Sequence, residues 1–310
     1  MESIFTYFPQ KWVEIFQQLS ATKIQTVEEI RIRIGKPVEI ALGGYYEFLP
    51  IIATEEETAQ FLSRLTQFSM YTMEEELKRG YITIEGGHRV GIAGKVILDK
   101  GYVKAIVHIS SFNIRIAREK VGCAEFLLPH LYSDGWHSTM IIGPPQTGKT
   151  TLLRDVARVI SSGASTASHT ITARKVGIVD ERSEIAGCVR GVPQLQFGDR
   201  IDVLDACPKA EGMMMLIRSM SPDVIVADEI GRSEDAVSVL EAVNAGIALM
   251  ISTHGCSLAD VIKRPIIKSL IDLHVFSRFV ILDRDEYHGF SYKVTDSLGN
   301  CLYEQRSVSV

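Results

Sequence analysis

Along the first third of the chain, apolar and polar residues exchange over short periods. After Pro9, the residues Trp12, Val13, Phe16 and Leu19 recur at helical spacing. This predicts an amphipathic helix whose apolar stripe packs on a domain core or, in a second reading, docks a partner. The run Glu29-Ile30-Arg31-Ile32-Arg33-Ile34 alternates strictly, which predicts a strand with isoleucines on one face and charges on the other. Gly35-Lys36-Pro37 turns the chain, and residues 38–42 and 45–48 read as a hairpin around Gly43-Gly44. Helices are expected over 55–67 and 69–78. Strands are expected over 81–85, 88–93, 103–109 and 112–116, with Gly86-Gly87 as a turn. Together these elements make a compact α+β unit reaching to about residue 120.

From about residue 138 the alternation gives way to continuous apolar runs. Residues 140–142, 176–179, 224–227 and 248–252 suit short parallel strands buried on both faces. A helix is expected over 150–160, and another over the methionine-rich stretch 213–220. The tail segments 279–283, 290–295 and 301–303 read as closing β structure around Asp296-Ser297-Leu298-Gly299-Asn300. The expected fold is therefore an α/β domain with a mostly parallel sheet over 123–310, preceded by a smaller α+β N-terminal domain over 1–122. Ligands of such sheets gather at the carboxyl ends of the strands.

Composition narrows the function classes. The 310 residues are 46% hydrophobic and 23% charged, as in globular proteins of about two domains. A net charge of −5 disfavours a large nucleic-acid footprint, so no nucleic-acid partner is expected, though a small basic stripe fits within it. The five cysteines, Cys123, Cys188, Cys207, Cys256 and Cys301, form no C-x-x-C pair and suggest reduced, cytoplasmic thiols. No leader pattern opens the chain, and the apolar stretch 236–251 is broken by Glu241 and Asn244. Any membrane association is thus expected to be peripheral, through a partner.

The chemistry sits in the second half. Gly143-Pro144-Pro145-Gln146-Thr147-Gly148-Lys149-Thr150 is a P-loop, with Thr151 continuing into the helix. Its backbone N–H groups suit phosphates, Lys149 supplies a positive charge to the β- and γ-phosphates, and Thr150 offers a hydroxyl to Mg²⁺. ATP and Mg²⁺ are the cofactors this implies. Some eighty residues further on, Val224-Ile225-Val226-Ala227 ends in Asp228-Glu229, a Walker B pattern. Asp228 is the expected second metal ligand, and Glu229 the group that orients or deprotonates water. Val179-Asp180-Glu181-Arg182 ends another strand in acids, so Glu181 is a second water-positioning candidate. His254, closing Ile251-Ser252-Thr253, is placed to sense the γ-phosphate. Arg89, Arg115 and Arg118 lie on or beside strands of the first domain, and Arg31 and Arg33 share a strand face. Guanidinium groups suit phosphate, and one supplied from another domain or subunit accelerates phosphoryl transfer.

Longer runs carry a family resemblance. Glu29 to Pro37, Gly80 to Gly94, Asn113-Ile114-Arg115-Ile116-Ala117-Arg118, Val179 to Ala186 and Cys207-Pro208-Lys209-Ala210-Glu211-Gly212 resemble the stage III sporulation protein AA family. The likeness covers nearly the whole chain and departs slightly at Gln146-Thr147 in the P-loop. That family is in turn similar to the hexameric traffic ATPases of type II and type IV secretion and of type IV pili. The resemblance implies a RecA-like P-loop domain and an aspartate box at Asp180-Glu181. It also implies a histidine box at His254, and Arg89 and Arg115 as arginines reaching the nucleotide. It further implies a homo-oligomer, six-fold as in those motors, bound to a membrane protein of a secretion-like channel between mother cell and forespore. The chain would then lie at the inner face of a membrane, on the mother-cell side. The motors' tetracysteine motif is missing, so no zinc is implied. Two alternatives stay open from the residues themselves, a nucleic-acid-dependent RecA-like ATPase and a non-hydrolysing, nucleotide-gated scaffold. A small-molecule kinase is disfavoured, because no arginine-rich lid segment follows Asp228-Glu229.

Overall fold

The computed structural model describes residues 1–66, 74–165, 170–285 and 289–308. The chain divides into two compact units, Met1–Arg118 with Gly187–Arg190, and Glu119–Ala186 with Gly191–Val310. This differs in two places from a cut after residue 122. Gly122 donates its N–H to Asp155 at 3.2 Å, which ties 119–122 to the second unit. Gly187, with φ of +57°, lies so close to Gly87 that a Cβ would fall 2.9 Å from the Gly87 Cα.

The first unit runs through α1 (Glu2–Phe5), α2 (Gln10–Gln17), α3 (Ala21–Thr26), β1 (Val27–Arg33), β2 (Pro37–Leu42) and β3 (Tyr45–Ile52). It continues with α4 (Glu55–Leu65), α5 (Glu74–Arg79), β4 (Tyr81–Ile84), β5 (His88–Asp99) and β6 (Tyr102–Arg115). The strands form one sheet in the order β3-β2-β1-β6-β5-β4, with every neighbour antiparallel. Alternation in β1 sends Ile30 and Ile32 inward, where Ile30 pairs with Ile40 on one side and Ile114 on the other. The helices cover that face with aromatic rings. Phe61 of α4 lies 5.6 Å from Phe8, 5.9 Å from Trp12 and 5.1 Å from Phe112. Thr54 and Glu57 form a reciprocal capping box at the start of α4.

The expected helix over 69–78 corresponds to α5 at its end, and 67–73 lie outside the described residues. The segments expected as separate strands over 103–109 and 112–116 are one strand, β6, and β5 runs on to Asp99. Lys100 and Gly101 join them with φ of +50° and +83°, the left-handed pair a two-residue hairpin turn requires. The extension escaped the pattern because its residues are exposed on both faces, so no alternation marks it.

The second unit contains α6 (Leu128–Leu131), β7 (Thr139–Gly143), α7 (Lys149–Ser162), β8 (Ala164–Ser165), β9 (Thr170–Ile171), β10 (Val176–Asp180) and β11 (Ile201–Asp205). Then follow α8 (Lys209–Ser219), β12 (Val224–Ala227), α9 (Ser233–Asn244), β13 (Ala248–His254), α10 (Leu258–Val261) and α11 (Pro265–Asp272). β14 (Arg278–Asp285), β15 (Gly289–Asp296) and β16 (Cys301–Val308) close the chain. The main sheet has the order β11-β10-β12-β13-β7-β14-β15-β16. It is parallel from β11 to β14 and antiparallel beyond. Alternate residues of one strand enter different cores. Ile141, Ile178 and Val226 pack with Leu153 and Val156 of α7, whereas Met140, Val179 and Ile225 pack with Met213, Val239 and Leu270 of α8, α9 and α11. Burial on both faces explains the unbroken apolar runs. Strand β11 escaped the sequence reading because Ile201-Asp202-Val203-Leu204-Asp205 is neither a continuous apolar run nor a strict alternation, as suits a half-buried edge. Among the described residues no helix is long and apolar enough to cross a membrane.

Candidate active site

The parallel strands set their carboxyl ends side by side. His254 pairs with Gly143, and Val179 with Ala227, so the residues just beyond emerge at one edge. There β7 enters the loop Pro144-Pro145-Gln146-Thr147-Gly148, and α7 begins at Lys149. Gln146 and Gly148 have φ of +64° and +84°, backbone of the kind that turns successive N–H groups into an anion-binding hollow. Thr147 donates its hydroxyl to the Pro144 carbonyl at 2.8 Å and closes the loop, while Pro145 and Gln146 are exposed at its tip. Gly143 has no room for a side chain, since a Cβ would sit 2.6 Å from Thr147 Oγ1 and 3.1 Å from Leu282 Cβ.

Lys149 is buried, and its ammonium donates to the Pro144 carbonyl at 2.8 Å and to His254 Nδ1 at 3.1 Å. Burial lowers its pKa, and the Asp228 and Glu229 charges pull it back up. While Nδ1 faces the Lys149 ammonium, the other ring nitrogen, Nε2, lies 2.8 Å from Glu229 Oε1. The other Glu229 oxygen lies 3.2 Å from the Arg182 guanidinium. Glu229 has φ of +52°, and its N–H donates to Ser252 Oγ at 3.1 Å. Ser252, fully buried, in turn donates to Asp228 Oδ1. Thr150 Oγ1 donates to the other Asp228 oxygen at 2.6 Å, bringing together residues 78 positions apart. Thus Lys149, Thr150, Asp228, Glu229 and His254 meet in one network. Ser252 and Arg182 belong to it too, and only Ser252 left a usable sequence signal, a hydroxyl inside an apolar strand.

Glu181 lies to one side, paired with Lys209 and 3.8 Å from Arg232. Burial works against its charge, but the Lys209 hydrogen bond and the nearby arginines outweigh it and hold the carboxyl below its usual value. Asp180, expected in an aspartate box, instead caps a loop. Its oxygens accept N–H groups from Glu184, Ile185 and Ala186 at 2.8, 2.9 and 2.8 Å. Burial raises this carboxyl to about 6, with those donors opposing. Arg154 of α7 fastens the same loop by donating to the Ile185 and Glu184 carbonyls at 2.6 Å each. A cavity of about 10 Å³ lies between the two carboxylate pairs, bounded by Asp180, Glu181, Asp228 and Glu229, roughly the space one water needs.

Beyond the P-loop, Gln146, Gly148 and Thr151 border a cleft of about 520 Å³, walled by Cys123, Phe126 and Tyr292. The Phe126 and Tyr292 rings lie 4.8 Å apart, edge to face. Sequence reading missed this wall because its residues come from segments far apart in the chain. Arg89 and Arg115 belong to the first unit. Arg89 stacks 3.6 Å over the Tyr81 ring, and Arg115 pairs with Glu29 at 3.2 Å. Arg31 pairs with Glu29 at 2.9 Å, Arg33 with Glu39 at 2.8 Å, and Arg118 donates to the Val27 carbonyl at 2.6 Å. Among the described residues no cluster of three or more His, Cys, Asp or Glu side chains is arranged to hold a metal. The Thr150 hydroxyl and Asp228 carboxylate form the sparse oxygen set that suits Mg²⁺, which keeps most of its waters.

Comparison with known proteins follows the same lines. The profile of the family described as "Sporulation stage III, protein AA" matches residues 4–302. The chain is 52% identical over 302 residues to Stage III sporulation protein AA of Bacillus subtilis (strain 168), covering 97% of each chain. In shape it is similar to the pilus retraction motor PilT, solved with bound ADP, at a TM-score of 0.61 and 15% identity, covering 92% of this chain and 82% of that one. It is likewise similar to the ATPase DotB of Yersinia pseudotuberculosis, at a TM-score of 0.61 and 15% identity, covering 94% and 80%. At that identity the likeness is one of fold, a mixed α/β sheet.

Proposed function

Since the chain belongs to the sporulation stage III protein AA family, we propose that it is a Mg²⁺-dependent ATPase built on a RecA-like P-loop domain. Its hydrolysis would power a secretion-like channel between mother cell and forespore. The observation that carries this reading is the Thr150 hydroxyl bonded to Asp228 at 2.6 Å beside the buried Lys149. That arrangement joins the P-loop to the acid-tipped strand β12. The ADP in the PilT structure and the name of DotB concern those proteins, and the shared fold lends the reading support.

In this proposal the P-loop N–H groups, the start of α7 and Lys149 hold the phosphates. The aromatic cleft beside Thr151 takes the base. Thr150 and Asp228 hold Mg²⁺, which when bound offsets the charge developing on the phosphate oxygens. Glu229 accepts the proton of the attacking water. His254 positions it, donating to one carboxylate oxygen while accepting from Lys149. A shift of Lys149 toward a γ-phosphate is thereby felt at the base. Arg182, 59% exposed, is the partner free to swing away and open a lone pair on Glu229. Glu181 is the second carboxylate at the water. Arg89 and Arg115 are assigned to completing the site when a ring of copies, six-fold as in related motors, closes. The ring would sit at the membrane through a partner protein.

The test is ATP turnover and binding with Mg²⁺ present. Lys149→Ala should bind ATP poorly, and Glu229→Gln should bind it normally while turning over about 10²–10³-fold more slowly. Undiminished turnover in Glu229→Gln would remove that residue as the base. Failure of the unaltered chain to bind ATP would remove the whole reading.

A further inference from the structure

Past the paired core of the first unit's sheet, β5 and β6 continue as a two-stranded arm, half-buried at Ala105, Ile106 and Val107 and exposed from Lys95 to Lys104. Its root is marked on both strands. Gly94 sits at a register shift, and a Cβ there would fall 2.7 Å from the His108 carbonyl. Opposite it His108 has φ of +48°. Such a bulge bends a strand pair out of its sheet. From Lys95 to Asp99, at roughly 3.3 Å per residue, the arm reaches about 16 Å. Pairing continues to the tip, with Val96 opposite Ile106, Leu98 opposite Val103 and Asp99 opposite Tyr102.

The arm carries the wrong residues for water. Val96, Ile97 and Val103 are exposed, Leu98 is 64% exposed and Tyr102 80%. Val96, Leu98, Val103 and Ile106 form one apolar ladder, in which only Ile106 touches the core. Contiguous exposed apolar surface of this kind marks an interaction site. Lys95, Lys100 and Lys104 stand among these residues against the single Asp99, in a chain whose net charge is −5. The arm is thus a local cation on an anionic protein.

We propose that this arm inserts its tip into the surface of an anionic lipid bilayer. The chemistry fits at each level. Pairing across the hairpin satisfies only its inward-facing backbone groups, so the tip rests at the wet headgroup boundary, where the outward-facing groups keep water, and does not enter the hydrocarbon. Apolar residues buried 5–10 Å deep suffice for interfacial binding, which the arm's length exceeds. Tyr102, opposite Asp99 at the tip, is the ring that enters the headgroup boundary first, with Leu98 and Val103 next behind it, and the lysines place their ammonium groups against the lipid phosphates. The proposal is independent of the nucleotide chemistry and assigns membrane contact to this chain itself rather than to a partner alone.

The full chain should sediment with vesicles of phosphatidylcholine containing about one-third phosphatidylglycerol, and not with phosphatidylcholine alone. Binding should fade at about 0.5 M salt, where charges are screened within a few ångströms. Lys100→Glu with Lys104→Glu should weaken binding about thirty-fold or more, and Leu98→Asp with Tyr102→Ser at least tenfold. Both pairs are exposed and should leave the melting profile and ATP binding unchanged. A fluorophore on Leu98→Cys should shift to shorter wavelength with anionic vesicles. Equal binding to neutral vesicles, no binding at all, or indifference to both pairs overturns the proposal. So does a protein partner that captures the arm when vesicles do not.

Discussion

In the first unit neighbouring strands run in opposite directions, and their charged residues spread over an outer face where they neutralise one another. Arg31 and Arg115 share Glu29, and Arg33 takes Glu39. Such partly exposed pairs contribute about 0–1 kcal/mol each. In the second unit β10, β12, β13 and β7 all point the same way, and the groups just past their ends meet in one network around Lys149 and Asp228. The first unit's strands alternate apolar and charged residues and spread their charges over a face, whereas those of the second are apolar throughout and, running one way, leave their polar groups to gather just past their common ends. A parallel edge also collects the N-terminus of the following helix, as α7 shows at Lys149.

The largest expected effect separates the two units by stability. Phe61 is fully buried among Phe8, Trp12 and Phe112, and Phe61→Ala should cost about 3–5 kcal/mol. Calorimetry should show a first-unit transition moved to lower temperature while ATP affinity at low temperature is kept. Parallel loss of both would break the comparison. Next, Gly143→Ala should displace the P-loop, at a cost of about 1–3 kcal/mol, because the new Cβ meets Thr147 and Leu282. ATP titration should show about ten- to hundredfold weaker binding, with the first-unit transition unmoved.

The smallest effect is a pH dependence confined to the first unit. His88 is buried, accepts the Ala117 N–H on Nδ1 at 3.0 Å and has its pKa lowered to about 4 by burial. Between about 4 and 6.5 the unfolded chain therefore binds a proton that the folded unit does not. Stability should be full above 6.5 and fall as the pH drops toward 4, by about 1–2 kcal/mol once partial solvent access is allowed for. Melting series at pH 7 and 5 should show the slope, and His88→Gln should flatten it. An unchanged slope in that variant would assign the acid sensitivity elsewhere.

Much of this was legible beforehand where one physical signal dominated. Strict alternation marked β1, and the glycine-bearing loop before a helix marked the P-loop. Asp228-Glu229 stood out because acids after four buried residues are costly without a task. Legibility failed where signals cancel or where the contact is remote. The β6 half of the arm was legible as a strand over 103–109, but its β5 half, 94–99, was not, because those residues are exposed on both faces and carry no alternation. Asp180 and Glu181 look alike in sequence, yet Asp180 is spent on three loop N–H groups and Glu181 on Lys209. Arg182 could be recognised only once its guanidinium was seen beside Glu229.

The sequence by itself determined most of the strands and helices, the change of pattern near residue 138 and the glycine-bearing loop before α7, because each depends on neighbours within a few residues. Tertiary structure alone decided which carboxylate faces the lysine, that Ser252 and His254 bind Asp228 and Glu229, and that an aromatic cleft opens beside Thr151. Those relations depend on strands far apart in sequence being hydrogen-bonded in one order and one direction, and a hydrogen bond is indifferent to how much chain separates its partners.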